Sequence, residues 1–348
     1  MRYLTVCLIG GGVAGLLLWV LRPLATRIGL VDRSGELKFQ QESVVLIGGI
    51  AMFAGFAFSV LTLDISFPAF RSFLAAAALL VVAGVVDDLW ELPSRVKLAV
   101  QITAALIMAL GGGILVEDLG TITGDGVVAL GAWALPFTVF GTVGVINALN
   151  MSDGVDGLAG GVSFIAFVLL AYVAMASGRV ADASVLILLV GLVGAFLFFN
   201  LRFPWRRRAL VFMGDAGSMF LGFALAWFAI SLSQGDDRAM TPVTALWILA
   251  LPLIDAVSAF CRRILTGRSP FVRDHDHLHH VLLMAGLSVN RTNTVLWSAT
   301  LFFGFLGLFA FYQGIPEHII FYVFMALFAV HLWYMLCASE SAVWNGKR

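Results

Sequence analysis

Four polar side chains stand at three-residue intervals, at Asn147, Asn150, Asp153 and Asp156, directly after an apolar run that ends at Val145. A glycine follows each of the two aspartates. Asp-Gly pairs favour turns, so this stretch predicts the end of one helix and the start of the next, with oxygens and backbone N–H groups directed into one space. That arrangement suits a metal ion and a phosphorylated ligand. The alternative is a polar connector between two helices.

A second acidic motif pairs Asp87 with Asp88 at the end of another apolar run, and Lys97 follows nine residues after Asp88. Adjacent carboxylates repel each other, so the pair either shares a cation or raises the pKa of one member. Either state suits magnesium binding or removal of a proton from a phosphate. A solvated helix end is the alternative interpretation.

The third motif reads Phe212-Met-Gly214-Asp215-Ala-Gly217-Ser and follows three consecutive arginines, Arg206 to Arg208. Its glycines allow close approach of a ligand, and Asp215 can ligate a hard cation. The helix that follows directs its positive dipole end towards this loop. Phe212 can stack on a nucleobase. The alternatives are interfacial packing for Phe212 and a helix N-cap for Asp215.

A long connector carries Arg268 and four of the six histidines, among them His277, His279 and His280. We favour phosphate contact over zinc, because arginines would repel a metal and no cysteine lies nearby. Asp255 lies inside the preceding apolar run. An acid at that depth is either functional or makes a hydrogen bond between helices.

The elements that must position these motifs are apolar. The chain has 348 residues, of which 61% are hydrophobic and 12% charged, roughly half the charged fraction of a soluble protein. We predict an all-α polytopic membrane protein with about eleven transmembrane helices, forming one domain over residues 1–348. The net charge of +0 and the three dispersed cysteines indicate neither nucleic-acid binding nor a disulfide framework. The candidate spans are 3–21, 44–63, 69–86, 97–115, 133–149, 158–177, 182–200, 217–233, 243–261, 293–311 and 318–337.

The connectors between these runs alternate in charge. One alternating set holds 17 of the 21 lysines and arginines. The positive-inside rule makes that set cytoplasmic, so every acidic and histidine motif lies on the cytoplasmic face, with the N-terminus periplasmic and the C-terminus cytoplasmic. Two other patterns are interpreted as structural. The glycines of Gly10–Gly15 predict helix packing rather than a dinucleotide site, and residues 119–130 predict a short outer hairpin.

Taken together, the motifs resemble the polyprenyl-phosphate N-acetylhexosamine-1-phosphate transferases, and most closely the bacterial WecA-like branch, from about the first cytoplasmic connector to the tenth span. The histidine motif differs from that of the muramyl-pentapeptide translocase branch. One departure lies in the first connector, where residues 38–49 keep only the lysine and the Gly-Gly pair. The resemblance rests on Asp87-Asp88 with Lys97, Asn147-x-x-Asn150-x-x-Asp153-Gly-x-Asp156-Gly, Phe212-Met-Gly-Asp215-x-Gly-Ser and His277-Leu-His279-His280.

The resemblance implies transfer of a sugar-1-phosphate, most favourably N-acetylglucosamine-1-phosphate, from a UDP-N-acetylhexosamine to undecaprenyl phosphate, with release of UMP. That reaction would initiate synthesis of a cell-envelope polysaccharide such as O-antigen lipopolysaccharide in the bacterial inner membrane. It implies Mg²⁺, with Mn²⁺ as an alternative cation, and leaves a homodimer open. Other UDP-amino sugars, UDP-MurNAc-pentapeptide and a secondary transporter are the alternatives; a transporter would place its polar groups at mid-membrane.

The resemblance also implies roles for individual residues. Asp215 and Asn150 would ligate magnesium, Phe212 would stack on uracil and Asp156 would hydrogen-bond it. The lipid phosphate would be oriented or deprotonated by Asp87 and Asp88. The phosphate oxygens would meet Lys97, and the diphosphate or sugar would be held by Arg268, His279 and His280. The set is completed by Asp153 as a catalytic residue and by Asn147 and His277 as substrate-binding residues.

Overall fold

The structure is a computed structural model that describes residues 2–32, 44–63, 65, 67, 69–267 and 277–340. Within these ranges the regular secondary structure is helical, and strand-like pairing is limited to isolated bridges. The predicted all-α class is therefore confirmed. The helices are α1 (Arg2–Ile28), α2 (Gly48–Thr62), α3 (Phe70–Trp90), α4 (Ser94–Leu106), α5 (Ala134–Ser152), α6 (Leu158–Ala176), α7 (Val180–Asn200), α8 (Gly214–Ser233), α9 (Pro242–Ile248), α10 (Ala250–Leu265), α11 (Leu278–Met284), α12 (Val289–Tyr312) and α13 (Glu317–Glu340).

Each of the eleven apolar runs corresponds to one helix or to two consecutive helical pieces. In the described part of the chain, nine helices are long and apolar enough to cross a membrane. The α9–α10 pair is long and apolar enough only when its two helices are taken together, and it is bent by 83°. Helix α2, with 15 residues, is the shortest of the eleven elements. The bend precedes Pro252, which has no N–H to donate to Ile248, so the helix breaks one turn earlier. The chain is a multi-pass membrane protein.

Helix α8 is the centre of the bundle. In its most apolar window 89% of residues are buried, against 11% for α13. Glycines let neighbouring helices approach α8 closely: a Cβ on Gly49, Gly84 or Gly222 would lie 2.2–2.7 Å from backbone atoms of the facing helix. These contacts bring α2 and α3 against the first turn of α8 and α5 against its middle. The start of α8, where Asp215 lies, is consequently enclosed by other helices.

The glycines between Gly10 and Gly15 lie in α1, where the sequence analysis predicted helix packing. Gly10 and Gly11 pack against α7, whereas a Cβ on Gly12 or Gly15 would meet open space. The packing prediction is therefore confirmed for the first two glycines. Helix α1 runs on to Ile28, so residues 22–28, which the sequence analysis placed in a connector, are helical.

The outer hairpin is confirmed by backbone hydrogen bonds between its two arms. Leu119 N donates to Val128 O and Val128 N donates to Gly120 O, both at 2.9 Å. The hairpin is fastened to the bundle by Gln234 at the end of α8, whose Oε1 accepts from the backbone N–H of Glu117 at 2.8 Å.

Candidate functional site

The predicted site residues occupy the ends of four helices. Asp87 and Asp88 lie in the last turn of α3, which continues to Trp90, so their predicted position at the end of an apolar run is confirmed. Lys97 lies in the first turn of α4, and Asn150 in the last turn of α5. Together with the first turn of α8, these ends form one polar layer at one end of the bundle.

Lys97 joins two of these helix ends. Its Nζ lies 2.7 Å from Asp87 Oδ2 and 3.2 Å from Asp215 Oδ2. Asp87 is buried, so its charge is stable only with a partner nearby. A backbone N–H, that of Leu92, donates to the other Asp87 oxygen at 2.6 Å. One ammonium group is thus shared by carboxylates from α3 and α8.

Asp88 faces a different way from Asp87. Its Oδ1 accepts the backbone N–H of Asp215 at 2.9 Å, and its buried Oδ2 lies where a Cβ on Gly214 would approach to 2.4 Å. Gly214 also has a φ of +71°, so glycine is required there on two grounds. Because Met213, at the N-cap, gives no side-chain cap, Asp88 supplies the acceptor that the start of α8 needs.

Asn150 and Asp215 are in direct contact. Asn150 Nδ2 donates to Asp215 Oδ1 at 2.9 Å and to Ser218 Oγ at 2.8 Å. Within the described residues, the hydrogen bonds of the Asn150 side chain use Nδ2, so its Oδ1 is available to a ligand. Ser218, one turn into α8, is the last residue of the Phe212 motif, and the sequence analysis gave it no role of its own.

Asn147 lies one turn further from the helix end than Asn150. Its Nδ2 donates to Gln101 Oε1 at 2.7 Å and to Val143 O at 2.8 Å. Gln101, buried on α4 one turn after Lys97, returns a longer contact of 3.4 Å. The structure therefore places Asn147 beneath the carboxylate layer, paired with a residue that the sequence analysis missed. A glutamine inside the apolar run 97–115 was the available signal.

The predicted turn between α5 and α6 is confirmed. Helix α5 ends at Ser152, α6 begins at Leu158, and Gly157 has a φ of +87°. Asp153 lies half-buried in this turn. Desolvation, and then the negative charges of Asp215, Asp88 and Asp156, raise the pKa of Asp153 well above its usual range. A raised pKa favours the neutral acid, so a cation bound beside these carboxylates would stabilise their ionised forms.

A second polar group joins the turn to the Phe212 loop. Asn200, buried at the end of α7, accepts from Gly157 N at 2.6 Å and donates to Val211 O at 2.8 Å. Asp156 forms an ion pair with Arg202 at 2.6 Å. Asn200 therefore links two chain segments, because Gly157 follows Asp156 and Val211 precedes Phe212. Asp156 and Phe212 are the two residues expected to contact uracil. Neither Asn200 nor Arg202 was identified from the sequence.

The end of the first connector also reaches this loop. Phe212 N donates to Val45 O at 2.9 Å, and Gly48 N and Gly49 N donate to Phe212 O and Met213 O at 3.0 Å. The Gly-Gly pair before α2 is thus part of the frame that holds Phe212.

The histidine segment lies against the α5–α6 turn. The side chain of His279 is buried, and its Nε2 lies where a Cβ on Gly154 would approach to 2.4 Å. The ring centroids of His279 and His280 are 4.2 Å apart. His277 is buried and contacts Asp255, so the hydrogen bond between segments that was one interpretation of Asp255 is present. Arg268 lies outside the described residues.

The side chains present fit a magnesium site that is completed by substrate phosphates better than a metal site formed by protein ligands alone. Among the residues that the structure describes, no three His, Cys, Asp or Glu side chains converge into a metal site. Magnesium is usually bound by one or two carboxylates together with substrate phosphates. Asp87 and Asp215 already bracket a cation, the Lys97 ammonium, and the side-chain amide of Asn150 contacts Asp215.

These features define a class: a multi-pass membrane protein whose helix ends form a carboxylate-rich, cation-binding layer suited to phosphorylated substrates. The model of the family described as glycosyl transferase family 4 matches residues 70–233, from α3 to the end of α8. That range contains Asp87, Asp88, Lys97, Asn150 and Asp215.

Curated relatives cover most of the chain. A protein of Yersinia pestis is 34% identical over 315 residues, covering 90% of this chain and 86% of its own length. One of Escherichia coli K12 is 32% identical over 317 residues, covering 91% and 86%. One of Haemophilus influenzae is 34% identical over 333 residues, covering 95% and 93%. Each is an undecaprenyl-phosphate alpha-N-acetylglucosaminyl 1-phosphate transferase. The chain belongs to the polyprenyl-phosphate N-acetylhexosamine-1-phosphate transferase family, as the motifs predicted.

Proposed function

We propose that this protein transfers N-acetylglucosamine-1-phosphate from UDP-N-acetylglucosamine to undecaprenyl phosphate and releases UMP. The observation that carries the proposal is the Lys97 ammonium shared by Asp87 and Asp215, inside the region that matches the family and in a chain similar to such transferases over nine-tenths of its length. We place the enzyme in the bacterial plasma membrane with this layer at the cytoplasmic face, where UDP-sugars are available.

The reaction needs positioning and charge neutralisation more than covalent catalysis. An oxygen of the lipid phosphate attacks the β-phosphorus of the UDP-sugar. The bond from that phosphorus to the oxygen bridging the two phosphates breaks, and UMP leaves with that oxygen. Magnesium, held by Asp215 and Asn150, supplies positive charge to the diphosphate when bound. Lys97, already between two carboxylates, contributes a second positive charge.

The geometry supports different roles for the adjacent residues Asp87 and Asp88. Asp87 Oδ2 faces the space that Asp215 and Lys97 share, whereas Asp88 is directed at the backbone of α8. We assign Asp87 to the lipid phosphate, as the group that orients it or accepts its proton. Asp88 then maintains the position of Asp215, which it contacts through the backbone.

We assign uracil binding to Phe212 and Asp156, whose chain neighbours are both hydrogen-bonded to Asn200. Phe212 would stack on uracil, and Asp156 would accept from it through Oδ1, because Oδ2 is bonded to Arg202. His279 and His280, with Arg268, would hold the diphosphate or the sugar. Asp153 follows α5 directly and precedes Gly154, which lies against His279. We therefore assign Asp153 to the diphosphate side of the site.

One assay tests the proposal. Purified protein is incubated with undecaprenyl phosphate, Mg²⁺ and a panel of UDP-sugars, and UMP release is measured, with the Asp215→Asn variant and an EDTA-treated sample as controls. We expect UDP-N-acetylglucosamine to have the highest kcat/KM and EDTA to abolish release. A clearly better UDP-sugar would change the donor while leaving the reaction class. Absence of UMP release with every donor would contradict the transferase assignment and favour a transporter.

A further inference from the structure

Asp255 on α10 holds the start of the histidine helix with both of its oxygens. Oδ2 lies 2.9 Å from His277 Nδ1, and Oδ1 accepts the backbone N–H of Leu278 at 2.9 Å. His277, the N-cap residue of α11, gives no side-chain cap. The capping acceptor therefore comes from a residue 22 positions earlier in the chain. One buried carboxylate fixes both a ring and the first turn of α11.

The position of α11 determines the position of His279. The rings of His277 and His279 are parallel within 2°, with centroids 5.8 Å apart. On its other side His279 meets Gly154, where there is no room for a Cβ. Any shift of α11 would therefore change the distance between His279 and the Asp153–Gly154 turn, because His279 is packed between the two.

The last helix contributes a second partner to Asp255. His331 Nε2 lies 3.7 Å from Asp255 Oδ1. Its ring is partly buried, although α13 is otherwise mostly exposed, as at Trp333 and Tyr334, which are 67% and 49% exposed. His331 is thus directed inward, as is Met335 one turn later.

We infer that Asp255, supported by His331, is a positioning residue for the transfer reaction and holds His279 against the Asp153–Gly154 turn. The inference rests on the proposed function, in which His279 contacts the diphosphate or the sugar. It assigns no substrate contact to Asp255 itself. Misplacement of a catalytic group by about 1 Å lowers the rate on the order of 100-fold.

The kinetic test compares Asp255→Ala, Asp255→Asn and Ser258→Ala in the purified full-length protein. Ser258 is a buried polar residue on the same helix and serves as the matched control. We expect Asp255→Ala to lower kcat on the order of 10- to 100-fold with the KM for UDP-N-acetylglucosamine changed less than about threefold. Asp255→Asn keeps an oxygen for the Leu278 N–H, so it should recover part of the loss. Ser258→Ala should match wild type.

A double-mutant cycle shows whether Asp255 acts through His279. In a His279→Ala background, the added Asp255→Ala substitution should change kcat by less than about threefold, because the group that Asp255 positions is already missing. An equally large loss in both backgrounds would overturn the inference.

Amide hydrogen exchange provides a measurement that needs no substrate. In Asp255→Ala, residues 278–284 should exchange on the order of tenfold faster than in wild type, since the capping hydrogen bond is lost. His331→Gln should give a smaller increase, and Trp333→Phe, on the exposed face of the same helix, none. If Asp255→Ala does not fold, Asp255→Asn and His331→Gln give the same comparisons. Absence of UMP release by wild type contradicts the proposed function, whereas normal wild-type turnover with unchanged kcat and exchange in the variants contradicts the positioning role alone.

Discussion

Acidic side chains are paired with cations differently at the two ends of the central helix α8. At the end of α8 remote from Asp215, Asp182 and Asp118 each have their own arginine. Arg179 bonds Asp182 at 2.7 Å and also donates to Ser231 O at 2.7 Å. Arg238 bonds Asp118 at 3.1 Å. At the Asp215 end, one lysine serves two carboxylates.

The difference teaches how to tell structural polar groups from functional ones. A cavity of about 180 Å³ lies at the remote end, next to Arg179 and Trp227, yet the acids described above are paired by the protein. At the Asp215 end no cation of the described chain is paired with Asp88 or Asp153. Excess negative charge held in place by helix packing is stable only if a further cation completes it. Charge balance, rather than cavity size, identifies the site.

The largest expected effect is that of Asp215→Asn, which removes a negative ligand and keeps the shape of the side chain. UMP release should fall on the order of 1,000-fold, with the melting temperature nearly unchanged. Asp182→Asn is the matched control at the remote end and should leave kcat within about twofold while lowering the melting temperature. Near-normal turnover of Asp215→Asn at low magnesium would remove Asp215 from the metal site.

Within the site, substitutions of the adjacent residues Asp87 and Asp88 are expected to have different effects on kcat. Asp87→Asn should lower kcat on the order of 100-fold or more, with binding of UDP-N-acetylglucosamine largely intact. Asp88→Asn keeps an oxygen for the Asp215 N–H, so the loss should be about tenfold. Calorimetric binding of the UDP-sugar and UMP release are measured on both variants. A parallel loss of binding and rate in Asp87→Asn would make Asp87 part of the scaffold.

A smaller effect is expected at the nucleotide end. Arg202→Ala removes the cation that orients Asp156, so the KM for UDP-N-acetylglucosamine should rise about three- to tenfold while kcat changes less. Arg207→Ala, an exposed arginine of the same loop, is the control and should match wild type. A fall in kcat without any change in KM would place Arg202 in the chemistry instead of in nucleotide binding.

The smallest effect on activity is expected at the remote end. Gln234 Oε1 accepts from two backbone N–H groups, those of Glu117 and Asp118. Gln234→Ala leaves both without an acceptor, so the free energy of unfolding should fall by about 1–3 kcal/mol. Thermal unfolding and UMP release are compared with those of Asp236→Ala, an exposed neighbour. A large loss of kcat at unchanged stability would show that the remote end takes part in the reaction.

Much of the fold was predictable, because a hydrophobic run long enough to cross a membrane has few alternatives to a helix. The Asp153-Gly and Asp156-Gly turn was predictable for the same kind of local reason. The bend before Pro252 was not, since a proline in a transmembrane helix is often accommodated by its neighbours.

The partners of the site residues could not be predicted from sequence. Lys97 is shared with Asp215 because α4 and α8 both pack against α3, which is a property of the bundle rather than of the motif. Gln101, Asn200 and Asp255 each stand alone in an apolar run. A single polar residue there has the same pattern whether it supports a site or joins two helices.

The residues on either side of 33–43 are joined by backbone hydrogen bonds, and this pairing has a consequence for divergence within the family. Asp32 N donates to Val44 O at 2.8 Å and Leu46 N to Leu30 O at 3.1 Å, so the two flanks of this segment lie side by side. With the flanks already joined, doubling the length of the segment between them adds only about 0.6 kcal/mol of closure entropy. The position of α1 relative to α2 is therefore set by the flanks, so relatives can differ in the length of the sequence between them at little cost in the free energy of unfolding.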